Sequence, residues 1–181
     1  ARRSQEPAAY QDDLWGRLYL SGRCFVDLTP NKIPQDSPIM GDILRLMQDC
    51  FAYMEGRIDP PSSLGKTTIA NLRTTASEAD IWAIGVPPVA CMILSARNGT
   101  LYLGKICVAP SHRQLGLSRH LIEQAERCAR CLKLPMLELQ TRVELVDNHA
   151  TFKALGFSEH ARTAHPGYDR PTSIIMRKPV I

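Results

Sequence analysis

The residues whose types and spacing could do chemistry are concentrated between Leu101 and Leu121, LYLGKICVAPSHRQLGLSRHL. An apolar run ends in Val108-Ala109-Pro110, passes through a short polar turn with Arg113, Gly116 and Ser118, and enters a segment of helical spacing. Backbone N–H groups at a helix start have no partner within the helix, and the aligned peptide dipoles favour negative charge there. Where the turn residues are small, a phosphate can approach the backbone, and Arg113 would add a cation. On the residues alone two readings stand: a phosphate cradle, and an ordinary strand-to-helix connection that carries a glycine.

Other candidates lie downstream. Glu144 and Asp147 follow a short apolar segment ending at Thr141. Glu144 is open to chemistry or to a surface pair with Arg142; Asp147 is open to chemistry or to capping the next helix. His165 and Tyr168 sit in HPGYDRP, which reads as a rigid turn or as a loop over a site, and His149 reads as an exposed residue of a first helical turn. Gly65-Lys66-Thr67 ends like a P-loop, but Pro60 stands where that pattern needs its first glycine and no strand precedes it, so a triphosphate site is excluded. Cys128 and Cys131 form the one CxxC, with no second pair to complete a tetrahedral metal site, so no metal is expected.

The elements that must position these residues follow from periodicity and punctuation. Residues 1–16 are polar and read as an extension, with one domain over 17–181. A first strand is expected near 18–28. Ser37-Pro38 reads as a helix N-cap and first residue, followed by Ile39, Ile43, Leu46, Met47, Cys50 and Met54 at helical spacing. A loop over 56–66 and a short helix over about 67–77 come next. A β-meander is expected over 81–86, 89–96 and 101–108, with Asn98-Gly99 as a tight hairpin turn. A long amphipathic helix over 115–132, a strand over 136–141, a helix capped at Asp147-Asn148 and stopping at Gly156, and strands over 158–164 and 172–178 complete the chain. This is an α+β layout, layered, with a mixed sheet, and its βαβ crossover should be right-handed.

At this point the sequence resembles a family. Arg113-x-x-Gly116-x-Ser118 after Val-Ala-Pro is similar to the pyrophosphate motif of the GNAT superfamily of N-acetyltransferases, and Asn148-x-x-x-Phe152-x-x-Leu-Gly-Phe157 resembles the family's next block. Serine replaces the usual Gly or Ala at position 118. The resemblance implies the GNAT fold: a central mixed sheet with an antiparallel meander, two splayed parallel strands near 101–108 and 136–141, and helices on both faces. Acetyl-CoA would be the co-substrate, its pantetheine paired with Ile106 and Val108. Its pyrophosphate would lie on the amides of Gln114, Leu115, Gly116, Leu117, Ser118 and Arg119, and Asn148 and Phe152 would also line its path. A backbone N–H near Cys107 or Val108 would receive the oxyanion. Two of the family's side chains are replaced here, with Phe152 where many relatives have a proton-donating Tyr and Tyr102 where some have a Glu base. The catalytic candidates are therefore Tyr168, Glu144 and Asp147, and loop 57–63 would shape the acceptor pocket.

The chain has 181 residues, 44% apolar and 22% charged, with a net charge of +4. That balance fits a globular domain and is too mild and scattered for a nucleic-acid partner. No apolar run approaches a membrane span or a signal peptide, and unpaired cysteines suit the cytoplasm. The expectation is acetyl transfer from acetyl-CoA to a primary amine of a small polar molecule or a protein, by a monomer or a homodimer. A non-catalytic acyl-CoA-binding regulatory domain is the alternative.

Overall fold

The computed structural model describes the backbone of residues 17–20 and 24–26, and the chain in full from Asp27 to Ile181; the expected extension 1–16 lies outside the described residues. The segment expected to form the first strand makes a hairpin instead, β1 (Arg17–Leu20) with β2 (Cys24–Asp27), separate from the main sheet. The main sheet begins with β3 (Asn31–Ile33), a three-residue edge strand too short to show a period.

Helix α1 (Met40–Phe51) buries Met40, Ile43, Leu46, Met47 and Cys50 on one face. Its apolar stripe sets where it starts, so Ser37 does not cap it: Ile39 holds the cap position without a side-chain bond, and Ser37 only accepts from the Met40 amide in the preceding turn. A short 3₁₀ turn, Ala52–Met54, extends it, and a second, Ser63–Lys66, interrupts the following loop. Helix α2 (Ile69–Glu78) starts at a capping box between Thr68 and Asn71, which satisfies two end amides reciprocally.

The meander is β4 (Asp80–Ile84), β5 (Ala90–Arg97) and β6 (Thr100–Val108). Asn98 and Gly99 both take positive φ, 37° and 81°, as a two-residue hairpin turn requires. Helix α3 (Leu117–Cys131) then crosses to β7 (Met136–Arg142), which pairs parallel with β6. Helix α4 (Val146–Ala154), β8 (Ser158–Thr163) and β9 (Ser173–Pro179) close the chain. The seven-stranded order is β3-β4-β5-β6-β7-β9-β8, mixed as expected.

The sheet separates two cores. Leu101, Leu103, Leu137 and Leu139 pack with Leu117, Leu121, Ile122 and Ala125 of α3 on one face. Cys91, Ile93 and Cys107 pack with Met40, Ile43 and Met47 of α1 on the other. Strand β6 contributes to both in a revealing way. Leu101 and Leu103 face α3, but further along Ile106 and Val108 join that core and Cys107 faces α1. A strand alternates strictly, so the parity can change only if one extra residue is inserted. The register against β5 moves from Ile93↔Gly104 to Cys91↔Cys107, and Lys105 takes φ 51° at the break.

Leu121 is wholly buried while Leu132, at the end of α3, is 56% exposed. Leu121→Ala is expected to cost about 2–5 kcal/mol in denaturant unfolding, with Leu132→Ala within about 0.5 kcal/mol of the parent.

Candidate active site

The bulge at Lys105 ends one pairing and exposes another. β6 and β7 are paired only from Leu101↔Leu137 to Leu103↔Leu139, although β6 continues to Val108 and β7 to Arg142. Beyond Leu103 the two strands diverge. The Ala109 amide donates to Val89, toward β5. Successive amides alternate sides, so the Cys107 amide also faces β5, while those of Ile106 and Val108 face the gap. The Cys107 thiol points into the α1 core with its Sγ 3.4 Å from that of Cys91. A contact with Cys50 lowers its pKa, but the Cys91 contact together with burial outweighs this and holds the pKa above the usual thiol value. Of the expected strand residues, Ile106 and Val108 are placed to offer an amide to the gap, and Cys107 is not.

At the end of β6 lies the polar turn. Gly116 holds the cap position of α3 with φ 76°, and Gln114 is also left-handed at φ 65°. The side chains of Leu115 and Leu117 turn into the core. Among the described residues the amides of Gln114, Leu115, Gly116, Leu117 and Ser118 donate to no other group of the protein, whereas the Arg119 amide already donates to the Gly116 carbonyl at 2.8 Å. The open set of donors is therefore 114–118, with Arg113 exposed beside it. A turn that offers five free amides at a helix start is an anion cradle.

A cleft of about 590 Å³ opens from the gap onto the α1 face. Its floor is Ile93, Ser95, Arg97, Tyr102 and Gly104; α1 and the loop after it supply Phe51, Met54, Ile58 and Pro61 to Ser63. Ile106, Thr141, Arg142, Asn148 and Phe152 line the gap side. Ile106, Asn148 and Phe152 were expected at a cofactor path. Asn148 is also tied to the end of α1, its Nδ2 donating to the Tyr53 hydroxyl at 3.1 Å.

The catalytic candidates fall elsewhere than the sequence suggested. Leu145 is buried against Met54 and Ile58 and takes the cap position of α4 without a side-chain bond. The helix thus starts earlier than expected, and Asp147 stands exposed in its first turn, neither capping it nor lining the cleft. An acidic residue there still complements the helix dipole. Glu144 does pair with Arg142, Nε to Oε2 at 3.7 Å, but the pair is not on the surface: the side chains are 11% and 24% exposed. The other Glu144 oxygen accepts from the Asp59 amide at 3.2 Å. His149 is half-buried, its Nε2 2.8 Å from the Arg142 carbonyl.

Tyr168 does not line the cleft. Its hydroxyl donates to Asp59, which raises the phenol pKa, and Arg170 reaches the other Asp59 oxygen at 3.2 Å. Asp59 thereby clasps the hairpin over 165–172 to the loop after α1, while Glu144 holds the Asp59 backbone. Behind this clasp His165 lines the cleft. Its Nδ1 lies 2.6 Å from Thr172 Oγ1 and its Nε2 3.2 Å from Arg142 Nη1. The same Arg142 Nη1 lies 3.4 Å from Nδ1, so the guanidinium reaches both ring nitrogens.

Sequence reasoning missed Thr141. It is buried, lines the cleft at the β7 side of the gap, and its hydroxyl has no hydrogen-bond partner. Arg142 Nε and Nη2 and Glu144 Oε2 are likewise buried without a hydrogen bond. Arg142 Nε and Glu144 Oε2 have only their 3.7 Å ion pair with one another, so Thr141 Oγ1 and Arg142 Nη2 are the two of these atoms left without a partner. No composition signal announces this, since each residue looks ordinary in a strand end.

The sequence profile of the acetyltransferase (GNAT) family matches residues 42–157, well over half of the chain and all of the splayed-strand region. The chain belongs to the GNAT family. Its members use acetyl-CoA, and the mixed sheet with its diverging parallel pair is the GNAT fold. No curated protein matches significantly in sequence. Among solved structures, the PaiA N-acetyltransferase of Thermoplasma acidophilum, crystallised with coenzyme A, superposes with a TM-score of 0.69 at 10% identity over 83% of this chain and 97% of its own. An acetyltransferase of Streptococcus agalactiae gives 0.65 at 19%, covering 83% and 96%, and the ribosomal-protein-S18-alanine N-acetyltransferase of Escherichia coli gives 0.58 at 19%, covering 84% and 94%. At these identities the likeness is one of fold. None of the described helices of this GNAT protein is long and apolar enough to cross a membrane.

The clasp generates a prediction. Asp59 is 58% exposed at its side chain, so its bonds add little to global stability, about 0–1 kcal/mol. Asp59→Ala and Tyr168→Phe should leave the unfolding midpoint nearly unchanged while speeding amide exchange at 57–63 and 164–171 several-fold, as read by hydrogen–deuterium exchange. Unchanged exchange in both variants would return the clasp to a surface contact.

Proposed function

We propose that this GNAT protein transfers the acetyl group of acetyl-CoA directly to a primary amine. The observation that carries the reading is the pair of unfilled backbone sets: free amides at Ile106 and Val108 in the gap, and free amides over 114–118 at the start of α3. Pantetheine would complete the sheet where β7 leaves it, and the pyrophosphate would take the helix start. The thioester then enters the cleft beside Lys105, Thr141 and Arg142. The five described cysteines are free thiols, which accords with a cytoplasmic enzyme.

The chemistry needs an unprotonated amine, a donor for the oxyanion and a path for the departing thiolate, which ends by taking, through solvent, the proton that the attacking nitrogen sheds as the C–S bond breaks. The Val108 amide is the oxyanion donor that fits the geometry of the gap. Phe152 cannot protonate the thiolate. Its pKa as a free thiol is near ~8.5, so it leaves without full protonation, and a hydrogen bond is enough help. The Thr141 hydroxyl, buried and unpartnered on the facing strand, is the group we assign to that bond. Tyr168 and Glu144 act by holding the roof and Arg142 in place. Asp147 has no part in the reaction.

Acetyl-CoA should raise the melting temperature by mass action, and Gly116→Asp should abolish that shift. A carboxylate at 116 would stand where the phosphates approach; the position is open, with nothing within 4 Å of an added Cβ, so the change repels anions more than it disturbs packing. The left-handed φ adds about 1–2 kcal/mol of strain, visible separately as a lower melting temperature without ligand. Absence of any shift in the folded parent protein would sink the cofactor assignment. Acceptor-dependent release of free thiol distinguishes an enzyme from a domain that only binds.

Thr141→Val gives a sharper test of the mechanism. It removes a buried hydroxyl that has no partner, so the fold should be unharmed or gain up to about 1–3 kcal/mol. Turnover should nonetheless fall roughly tenfold or more, in the range of lost transition-state hydrogen bonds, with the KM for acetyl-CoA little changed. A variant both more stable and as active as the parent would remove Thr141 from the mechanism.

A further inference from the structure

The charges of the cleft say what kind of amine it accepts, given acetyl transfer as proposed above. Three cations line it, Arg97, Lys105 and Arg142, and no carboxylate does so among the described residues. Three acidic side chains beside it are already engaged: Glu138 with Arg177 at 2.7 Å, Glu144 with Arg142 and the Asp59 amide, and Asp59 with Arg170 and Tyr168. Arg97 and Lys105, in contrast, have no ion pair among the described residues. A cleft of this sign repels polyamines and other multiply charged cations. It also disfavours the ammonium form of the one amine that must react, which favours the free base without a carboxylate to receive the proton.

Arg97 is not there for the cofactor phosphates. The phosphate turn follows Val108, whereas Arg97 pairs with Thr100 at the opposite end of β6, about 26 Å away at ~3.3 Å per residue. The Arg97 guanidinium lies 3.9 Å from the centre of the Tyr102 ring. Stacking holds it over the cleft floor, two strand positions or roughly 7 Å from Gly104, where the gap begins. Its planar fork is free to grip an anion bidentately at that distance from the reacting centre.

We propose that the acceptor is an anionic amine, a small molecule whose primary amine meets the thioester near Lys105 while its carboxylate or phosphate is held by Arg97. The anion anchors the molecule, and the cations around the amine keep it unprotonated.

The test is steady-state turnover at saturating acetyl-CoA with the ω-amino acids from glycine to 6-aminohexanoate. Each is compared with its carboxamide and with the diamine of the same length, and 2-aminoethyl phosphate is included to separate phosphate from carboxylate. The best anion is expected to exceed its neutral counterpart at least tenfold in kcat/KM, with the diamines poorest. Arg97→Gln should cut that advantage at least fivefold through the acceptor KM, Arg97→Lys should recover part of it, and the KM for acetyl-CoA should not move. Amides or diamines that match the acids, or an advantage that survives Arg97→Gln, would overturn the anionic acceptor while leaving acetyl transfer intact. Acetyl-CoA binding with no turnover of any amine would take down acetyl transfer and this inference with it.

Discussion

One extra residue in one strand governs the rest of the structure. The bulge at Lys105 ends the ladder between β6 and β7 after three residue pairs and reverses which face of β6 looks at which core. An ordinary parallel pair would bury every amide between its strands. Here those of Ile106 and Val108 are left open, an arrangement that costs stability unless something else completes the sheet. The cost is confined to the gap because both cores remain closed. Cys107 still fills the α1 side and Val108 still packs on the α3 side, so the divergence is held rigid by the packing on either side of it.

What surrounds the gap is fixed by a few long-range polar bonds. Asp59 joins Tyr168 and Arg170, more than a hundred residues away, and its amide is held by Glu144. Met54, Ile58 and Leu145 form a small apolar cluster beneath. The roof of the cleft is thus a loop pinned at its charged tip and at its apolar base. The Glu144–Arg142 pair, buried as it is, carries a desolvation cost that its 3.7 Å separation repays poorly, so its place in the fold is hard to explain by stability. It is better explained as orienting Arg142 toward the cleft with one guanidinium nitrogen unspent.

Much of this was legible in the sequence, for reasons that can be named. Of the stripe Leu117, Leu121, Ala125, Cys128 and Leu132, the first three are buried, Cys128 is half-buried and Leu132 stands exposed past the last turn, and Asn98-Gly99 demands positive φ that few other pairs supply. The turn at 113–118 could be read because glycine at 116 has a backbone reason, φ 76°. The bulge could not be read. LYLGKICV looks like an unbroken apolar strand, and an insertion exists only relative to its partner, which the strand itself does not record. The clasp was invisible for a similar reason, since Asp59 and Tyr168 are ordinary loop residues until the fold brings them together. Asp147 and Ser37 were misjudged as caps because capping residues were weighed without the buried anchors, Leu145 and Met40, that set where their helices begin.

The two side chains replaced relative to the family pattern then fit one account. A GNAT enzyme with a glutamate on the floor of its cleft can hold and deprotonate a cationic amine. This chain has Tyr102 at that position, with Arg97 stacked on its ring. With Tyr102 in place of that glutamate and a guanidinium stacked on its ring, this part of the floor carries no carboxylate among the described lining residues. On the acceptor proposed above, the binding energy then comes from the anionic part of the molecule rather than from its ammonium. On the other side of the gap, Phe152 gives up a proton donor and packs edge-on against Phe157, with ring centres 6.1 Å apart. In the proposed reaction such an apolar wall would lower the effective dielectric around the thioester and strengthen the dipoles assigned to it, the Val108 amide and the Thr141 hydroxyl. The two replacements are therefore consistent with one proposal, acetyl transfer that uses fixed donors and a cationic field rather than side chains that exchange protons.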